Sequence, residues 1–383
     1  MNKRLIISLV AICLTAYAHG EGRISASLRG GYPFSPSKGI MKGENSLGRP
    51  LRNSIAADVQ YGFMFPHDSR LGRLYPTAYQ GIGVSVFSVF DHQDIGTPVS
   101  LYVFQGARIT RLSSSLSLDY EWNFGASFGW HRNSEHPFNT ITGSRSNAYI
   151  NGSILLTWRS RNGWEVAAGP DMTHYSNGHT ELPNAGMNSA GIRLNIAKRI
   201  GTSTQNESQE ISVSYPENVS LDITVYGAMK KYSLTYYNAE HVAEGRFGVA
   251  GIHINPFYNI RQYFRAGLSL DLNFDESANI DDHVAGTTQD NKIRFFRPPI
   301  AEQISLGISA RAELVMPIFS VQFGVGHNII YKGNDLNGFY QIIALKTHIS
   351  RRLYLHTGYQ FRDFKNPDNL LIGLGWRFGN PGR

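Results

Sequence analysis

From Leu116 to Trp130 every even position is apolar or aromatic: Leu116, Leu118, Tyr120, Trp122, Phe124, Ala126, Phe128, Trp130. Every odd position between them is polar or small: Ser117, Asp119, Glu121, Asn123, Gly125, Ser127, Gly129. A period of two marks an extended strand whose faces meet different surroundings. This run is about twice the 5–6 residues usual for a soluble strand and exceeds the 9–11 that a tilted strand needs to cross a bilayer. The alternation recurs at Ile150–Trp158, Val219–Val225 and Leu370–Phe378. About sixteen such segments begin near Ile24, Ile55, Gln80, Val99, Leu116, Tyr149, Trp164 and Gly191. After a break they resume near Val219, Phe247, Tyr263, Ile304, Phe319, Phe339, Leu353 and Leu370. The pattern predicts an all-β chain, a transmembrane antiparallel β-barrel of about 12–16 strands.

The break, Thr202 to Asn218, is polar and divides the strands into two sets of eight. The predicted organisation is therefore a barrel half over 19–200, a connector over 201–218, and further strands over 219–383. The second set either enlarges one barrel to about sixteen strands, wide enough for an aqueous lumen, or builds a second unit. Asp275 to Pro299 reads as a long external loop, and five residues, Gly379 to Arg383, follow the last aromatic strand position.

The first residues change the picture of compartment. Lys3 and Arg4 precede an apolar run from Leu5 to Thr15, and Ala16-Tyr17-Ala18 supplies a small-residue cleavage site. Residues 1–18 are thus expected to be a cleaved signal peptide, too short to span a bilayer as a helix. Cys13 is the only cysteine, so cleavage leaves no disulfide, no cysteine-based zinc site and no thiol nucleophile. Charged residues are only 17% of the chain, and no later stretch is apolar enough for a membrane helix. A barrel hides its membrane signal in alternation, so low mean hydropathy is no objection. The net charge of +7 points to an anionic partner. For an exported chain that is phosphorylated lipid or surface polysaccharide and not nucleic acid.

Candidate chemistry concentrates between Trp164 and Asn195. Even positions Trp164, Val166, Ala168 and Met172 are apolar and odd positions Glu165, Asp171 and Thr173 polar, so the odd face looks inward. His174 and Ser176 then share the outward, lipid-facing side, one repeat apart. Polar groups on that side are costly, and they are either functional or an interfacial pair placed where water reaches them. An imidazole beside a hydroxyl is the first requirement for an activated serine. On the returning strand Asn188 has the same outward parity, within reach of His174 if the two strands pair. With a periplasmic N-terminus this hairpin turns on the external side, at the outer leaflet. Elsewhere, His131, Glu135 and His136 form a loop cluster that reads as solvated polarity, and Asp91 to Asp94 as a turn. No metal site and no cofactor are expected.

His174-Tyr175-Ser176-Asn177-Gly178 followed by Pro183-Asn184-Ala185-Gly186 resembles the signature of the lipid A 3-O-deacylase (PagL-like) family of outer-membrane acyl hydrolases. The resemblance is specific over about Gly169 to Ile196 and loose upstream; nothing after Asn218 is covered. It implies a serine-type ester hydrolase of the outer membrane, acting on an ester-linked acyl chain of lipid A (lipopolysaccharide). It also implies His174 as general base, Ser176 as nucleophile, and Asn177 and Gly178 with nearby backbone N–H groups as the oxyanion hole. The family carries a Glu twelve residues after the serine, to orient the histidine; here that position is Asn188. An amide can fix the imidazole's tautomer but cannot stabilise imidazolium by charge. Glu181, in the loop, is the nearest substitute acid. Arg193 and Lys198 are candidate phosphate contacts, although Arg193 has the inward parity. The rival reading is a porin-like channel or lipid-binding barrel that keeps the motif without turnover.

Overall fold

In a computed structural model the described residues are 21–201 and 218–379, apart from 238, 262, 289–291 and 364–365. The expected signal peptide, nearly all of the polar connector and the last four residues lie outside them. The sixteen strands read from alternation are all present, and they close into two separate barrels of eight.

The first barrel contains β1 (Glu21–Phe34), β2 (Ser54–Met64), β3 (Tyr79–Ser88), β4 (Gly96–Arg111), β5 (Leu116–Trp130), β6 (Ser146–Arg159), β7 (Trp164–Ser176) and β8 (Met187–Ile200). Each strand pairs antiparallel with its neighbour, and β8 returns to β1 to close the ring. In the second half the chain forms β9 (Val219–Lys230), β10 (Ser233–Tyr236), β11 (Ala239–Val242), β12 (Phe247–Arg261), β13 (Phe264–Asp275), β14 (Val284–Thr287), β15 (Ile293–Phe295), β16 (Ile304–Val315), β17 (Phe319–Ile330), β18 (Phe339–His348), β19 (Leu353–Arg362) and β20 (Asn366–Phe378). Here β9, β12, β13, β16, β17, β18, β19 and β20 make the ring, and β10–β11 and β14–β15 are small two-stranded extensions. The segment read as a plain external loop, Asp275 to Pro299, thus carries a hairpin and a 3₁₀ turn at Ile280–His283.

Sixteen strands in one ring would leave a wide lumen, whereas eight leave just enough room for side chains. The interiors are filled accordingly. In the first barrel Arg193 meets Glu121 at 2.7 Å, Arg29 meets Asp58 at 2.9 Å and Arg23 meets Glu165 at 3.0 Å. In the second, Asp222 and Glu313 sit among Arg265, Lys346 and Arg377, with Lys346 at 2.9 and 2.8 Å from the two carboxylates. Charges this deep persist only when paired, because an unpartnered ion in the interior is far costlier than a broken surface bridge. The outward positions form an apolar coat: Val166, Ile192, Leu194 and Ile196 in one barrel, Val225, Leu268, Ile372 and Leu374 in the other, are each about half exposed.

One expected outward residue faces inward. Trp130 is 1% exposed. Gly129 takes φ +91° and the β4–β5 register shifts between Gly96 and Val99, which breaks the alternation one residue before the tryptophan. Its indole N–H donates to Ser127 Oγ at 2.8 Å, and its ring packs 5.0 Å from Tyr175.

Candidate active site

Tyr175 sets the frame of the site. It separates His174 from Ser176 on β7 and, having the inward parity, inserts among Phe87, Trp130 and Tyr149 at ring separations of 4.9–5.4 Å. Aromatic pairs of this geometry add to the ordinary burial term. The strand end is therefore pinned from inside, and its two neighbours are held on the opposite face.

His174 lies directly across from Asn188 in the β7–β8 register and from Ile150 on the β6 side. Its Nδ1 is 2.7 Å from Asn188 Oδ1. Asn188 is in turn opposite Phe34 on β1, and its Nδ2 donates to the Phe34 carbonyl, 3.4 Å away. A carbonyl only accepts, so the NH₂ end of the amide must face Phe34 and the oxygen must face the imidazole. That oxygen also only accepts, so Nδ1 carries the proton and Nε2 is left with a lone pair.

Ser176 keeps the outward parity but is only 3% exposed, because the returning loop folds against it. Asn184, held by a bridge to Thr142, places its amide 3.2 Å from Ser176 Oγ by either of its terminal atoms. Its Oδ1 also accepts the Asn177 N–H at 2.9 Å. The Asn177 side chain donates to Thr142 Oγ1 at 3.4 Å. Gly186 has φ +71°, and a Cβ there would lie 3.3 Å from His174 Cε1 and 3.9 Å from Ser176 Cβ. The glycine therefore leaves open the space that flanks both side chains. Its carbonyl accepts from Ser35 Oγ at 2.6 Å, which ties the loop to the chain after β1.

The structure brings His174 and Asn188 into contact and puts Ser176 with Asn184 and Asn177. Gly178 takes φ +68°, a conformation glycine adopts without strain. Residues Gly178–Leu182 group with the second compact unit, and within it Glu181 is engaged by Lys231 at 3.1 Å and by Arg246. Arg193 and Lys198 do not join the site. Arg193 is fully buried on Glu121. Lys198 lies ten positions along β8 from Asn188, about 30 Å of extended chain, and donates to the Asn162 carbonyl. In the loop cluster, His131 and His136 stack at 4.2 Å. Glu135 lies between Arg132 and Arg145, whose hydrogen bonds hold its carboxyl down at about 2. Sequence reasoning quoted Asn184 in the motif without giving it a part; only the folded loop shows its amide on the serine.

The model of the lipid A 3-O-deacylase (PagL) family matches residues 113–197. That of the acyloxyacyl hydrolase C-terminal domain matches 219–380, and the two take in most of the chain. No curated protein matches significantly. Among solved structures, the siderophore receptor PirA from Pseudomonas aeruginosa aligns over 94% of this chain and 80% of its own, at 10% identity and TM-score 0.27. CdiB from Acinetobacter baumannii aligns over 94% and 60%, at 10% identity and TM-score 0.20. A Rhodopseudomonas blastica porin variant aligns over 93% and 100%, at 8% identity and TM-score 0.17. Likeness at this level carries no argument.

Proposed function

This chain belongs to the lipid A 3-O-deacylase (PagL) family of hydrolases, and from that premise we propose that its first barrel deacylates lipid A in the outer membrane by a serine mechanism. The observation that carries the reading is the chain Phe34 carbonyl–Asn188–His174, which leaves Nε2 unprotonated on the strand face that also bears Ser176. A lone pair on Nε2 is what a general base needs.

In the proposed reaction His174 Nε2 takes the Ser176 hydroxyl proton as Oγ bonds to the acyl carbonyl carbon. The tetrahedral oxyanion is met by the Asn184 Nδ2–H₂ already beside Oγ, together with the Asn177 N–H, which would turn to it from Asn184 Oδ1. Collapse breaks the bond to the sugar oxygen, which leaves with the proton from His174. Water, deprotonated by the same imidazole, then releases the fatty acid and restores the serine. Asn188 orients the base throughout but adds no charge to stabilise imidazolium. An ester bond presented at the outward face suits a substrate whose acyl chains lie alongside the apolar coat of Val166, Ile192 and Leu194. A channel needs an open lumen, whereas Arg193, Glu121 and Asp58 fill this one.

The test is mass spectrometry of lipid A from cells expressing this chain beside cells expressing Ser176→Ala. Loss of one acyl mass in the parent alone is expected. Unchanged lipid A in both, with each barrel confirmed folded in the membrane, overturns the proposal.

A further inference from the structure

At the barrel end that carries Ser176, the first barrel has a loop whose charge the proposed hydrolysis does not use. Between β1 and β2, residues 35–53 contain four cations, Lys38, Lys42, Arg49 and Arg52, and one acid, Glu44. All four cations are exposed, and among the described residues none has a carboxylate within ion-pair distance. The other loop cations at this end of the barrel, Arg132 and Arg145, are both taken by Glu135. Asp94, from the β3–β4 loop, is already bonded to Ser46, whose N–H it accepts at 2.6 Å and whose hydroxyl it accepts at 2.8 Å.

The fold of the loop holds this charge in place. Lys38–Lys42 form one helical turn, seated by Ile40, which is buried in the interior cluster. Asn45 closes the turn, donating from Nδ2 to the Ile40 and Arg49 carbonyls at 2.8 and 2.9 Å. Lys38 and Lys42 stand four residues apart and so side by side on one face, where like charges repel. An anion seated between them would turn that repulsion into attraction. The loop also starts at the proposed catalytic residues. The Phe34 carbonyl accepts from Asn188, Ser35 Oγ donates to the Gly186 carbonyl, and the Ser37 and Thr140 hydroxyls are bonded to each other. Lys38 follows Phe34 by four residues, so its Cα lies within about 14 Å of that strand end. Tyr32 and Phe34 are the last exposed aromatics of the β1 coat, and the cations begin just beyond them, at the level where aromatic side chains meet lipid headgroups. We propose that the β1–β2 loop recognises a lipid-borne phosphate, with Lys38 and Lys42 holding it between them and Arg49 and Arg52 drawing the anionic headgroup to the site. The inference rests on the first barrel taking lipid A as its substrate, and it assigns the phosphate contact that Arg193 and Lys198 do not make.

The test separates binding from turnover. The full chain carrying Ser176→Ala, folded in neutral detergent, is titrated with fluorescent phosphorylated lipid A and with the same lipid after phosphatase treatment. Lys38→Gln and Lys42→Gln should each weaken binding of the phosphorylated lipid about fivefold, the usual worth of one lysine at an anionic lipid surface. The phosphorylated lipid should therefore be preferred by about twentyfold, an advantage that shrinks as salt rises. Arg161→Gln, exposed in the β6–β7 turn at the opposite barrel end, should change nothing. Equal binding of the two lipids, or binding of neither, overturns the proposal. So does a phosphate preference that the Lys38/Lys42 double variant leaves intact, or one that Arg161→Gln weakens as much, since net charge alone would then explain it. No turnover enters the measurement, so the two readings fail separately. Phosphate preference in a chain that releases no fatty acid would sink the deacylase reading and keep this one, and deacylation indifferent to phosphate would do the reverse.

Discussion

Two barrels of eight strands stand in one chain, both with filled polar interiors and apolar coats, and the proposed hydrolytic constellation is in the first. On β7, His174 is followed two residues later by Ser176, and Asn188 faces the imidazole from β8. The nearest echo in the second barrel is on β17, where His327 is followed at the same spacing by Ile329, 53% exposed. The His327 ring turns to the backbone, with Nδ1 2.6 Å from the Asn328 carbonyl. A histidine at a strand end is thus cheap to come by. What distinguishes β7 is an amide of fixed orientation on one side of the imidazole and a loop folded back over the serine on the other. Architecture supplies faces, and the returning loop turns one of them into a site.

The sharpest way to break this comparison is to remove the serine. Ser176→Ala and His174→Ala should each lower lipid A deacylation by about 10⁴-fold or more, and the double variant should be no slower than either, since the two act as a unit. Rates on purified lipid A in micelles measure this. Conversely, Ile329→Ser, which copies the spacing onto β17, should confer nothing on a Ser176→Ala background. Next in size is a change that touches only the second barrel. Asp222→Asn leaves Arg265, Lys346 and Arg377 with Glu313 alone, and breaking a buried ion cluster in this way typically costs about 3–5 kcal/mol. Urea unfolding should show that loss, while the deacylation rate per folded molecule stays at the parent value.

Much of the fold was legible because alternation is a direct imprint of a two-sided strand. All sixteen barrel strands begin within about four residues of where the pattern placed them. Closure was not legible. The same alternation serves one ring of sixteen or two rings of eight, since the choice depends on which strand meets β1, and no local residue records that β8 does. Trp130 was misplaced because a single positive φ at Gly129 reverses parity, and composition cannot show it. At the site, the parity of His174, Ser176 and Asn188 could be read from spacing. The Phe34 carbonyl and the Asn184 amide could not, because a backbone acceptor on β1 and a loop side chain reach the motif only through closure and through the fold of residues 183–186. The four strands β10, β11, β14 and β15 escaped notice because three or four residues are too few for a period to be seen.

A finer test concerns the amide itself. Asn188→Glu restores the carboxylate that the family carries at this position, so the imidazolium gains a charged partner in the transition state. The rate should rise by about ten- to a hundredfold, a part of the 10⁴ separating acid from amide in the serine-protease template, because a carboxylate has no N–H to give the Phe34 carbonyl, which accepts from Asn188 Nδ2 at 3.4 Å. Asn188→Ala should lower the rate by a similar factor. A rate indifferent to both changes would mean that His174 is not oriented from β8.

The smallest expected effect falls on the loop that closes over the serine. Gly186→Ala asks a side chain to accept φ +71°, which costs about 1–2 kcal/mol for an L-residue. It also sets a methyl 3.0 Å from the Tyr175 carbonyl and 3.3 Å from His174 Cε1. Both contacts are relieved if the loop lifts by a few tenths of an ångström, which would draw the Asn184 amide away from Ser176. The expected result is a loss of about 1–2 kcal/mol in urea unfolding of the first barrel with a fall of several-fold in kcat. The second barrel offers a control, because Gly245 also has positive φ (+100°) but a Cβ there would meet nothing within 4 Å. Gly245→Ala should therefore cost stability alone. If Gly186→Ala behaves the same way, with kcat untouched, the loop shields Ser176 without positioning it, and oxyanion stabilisation must be sought in the turn after the serine.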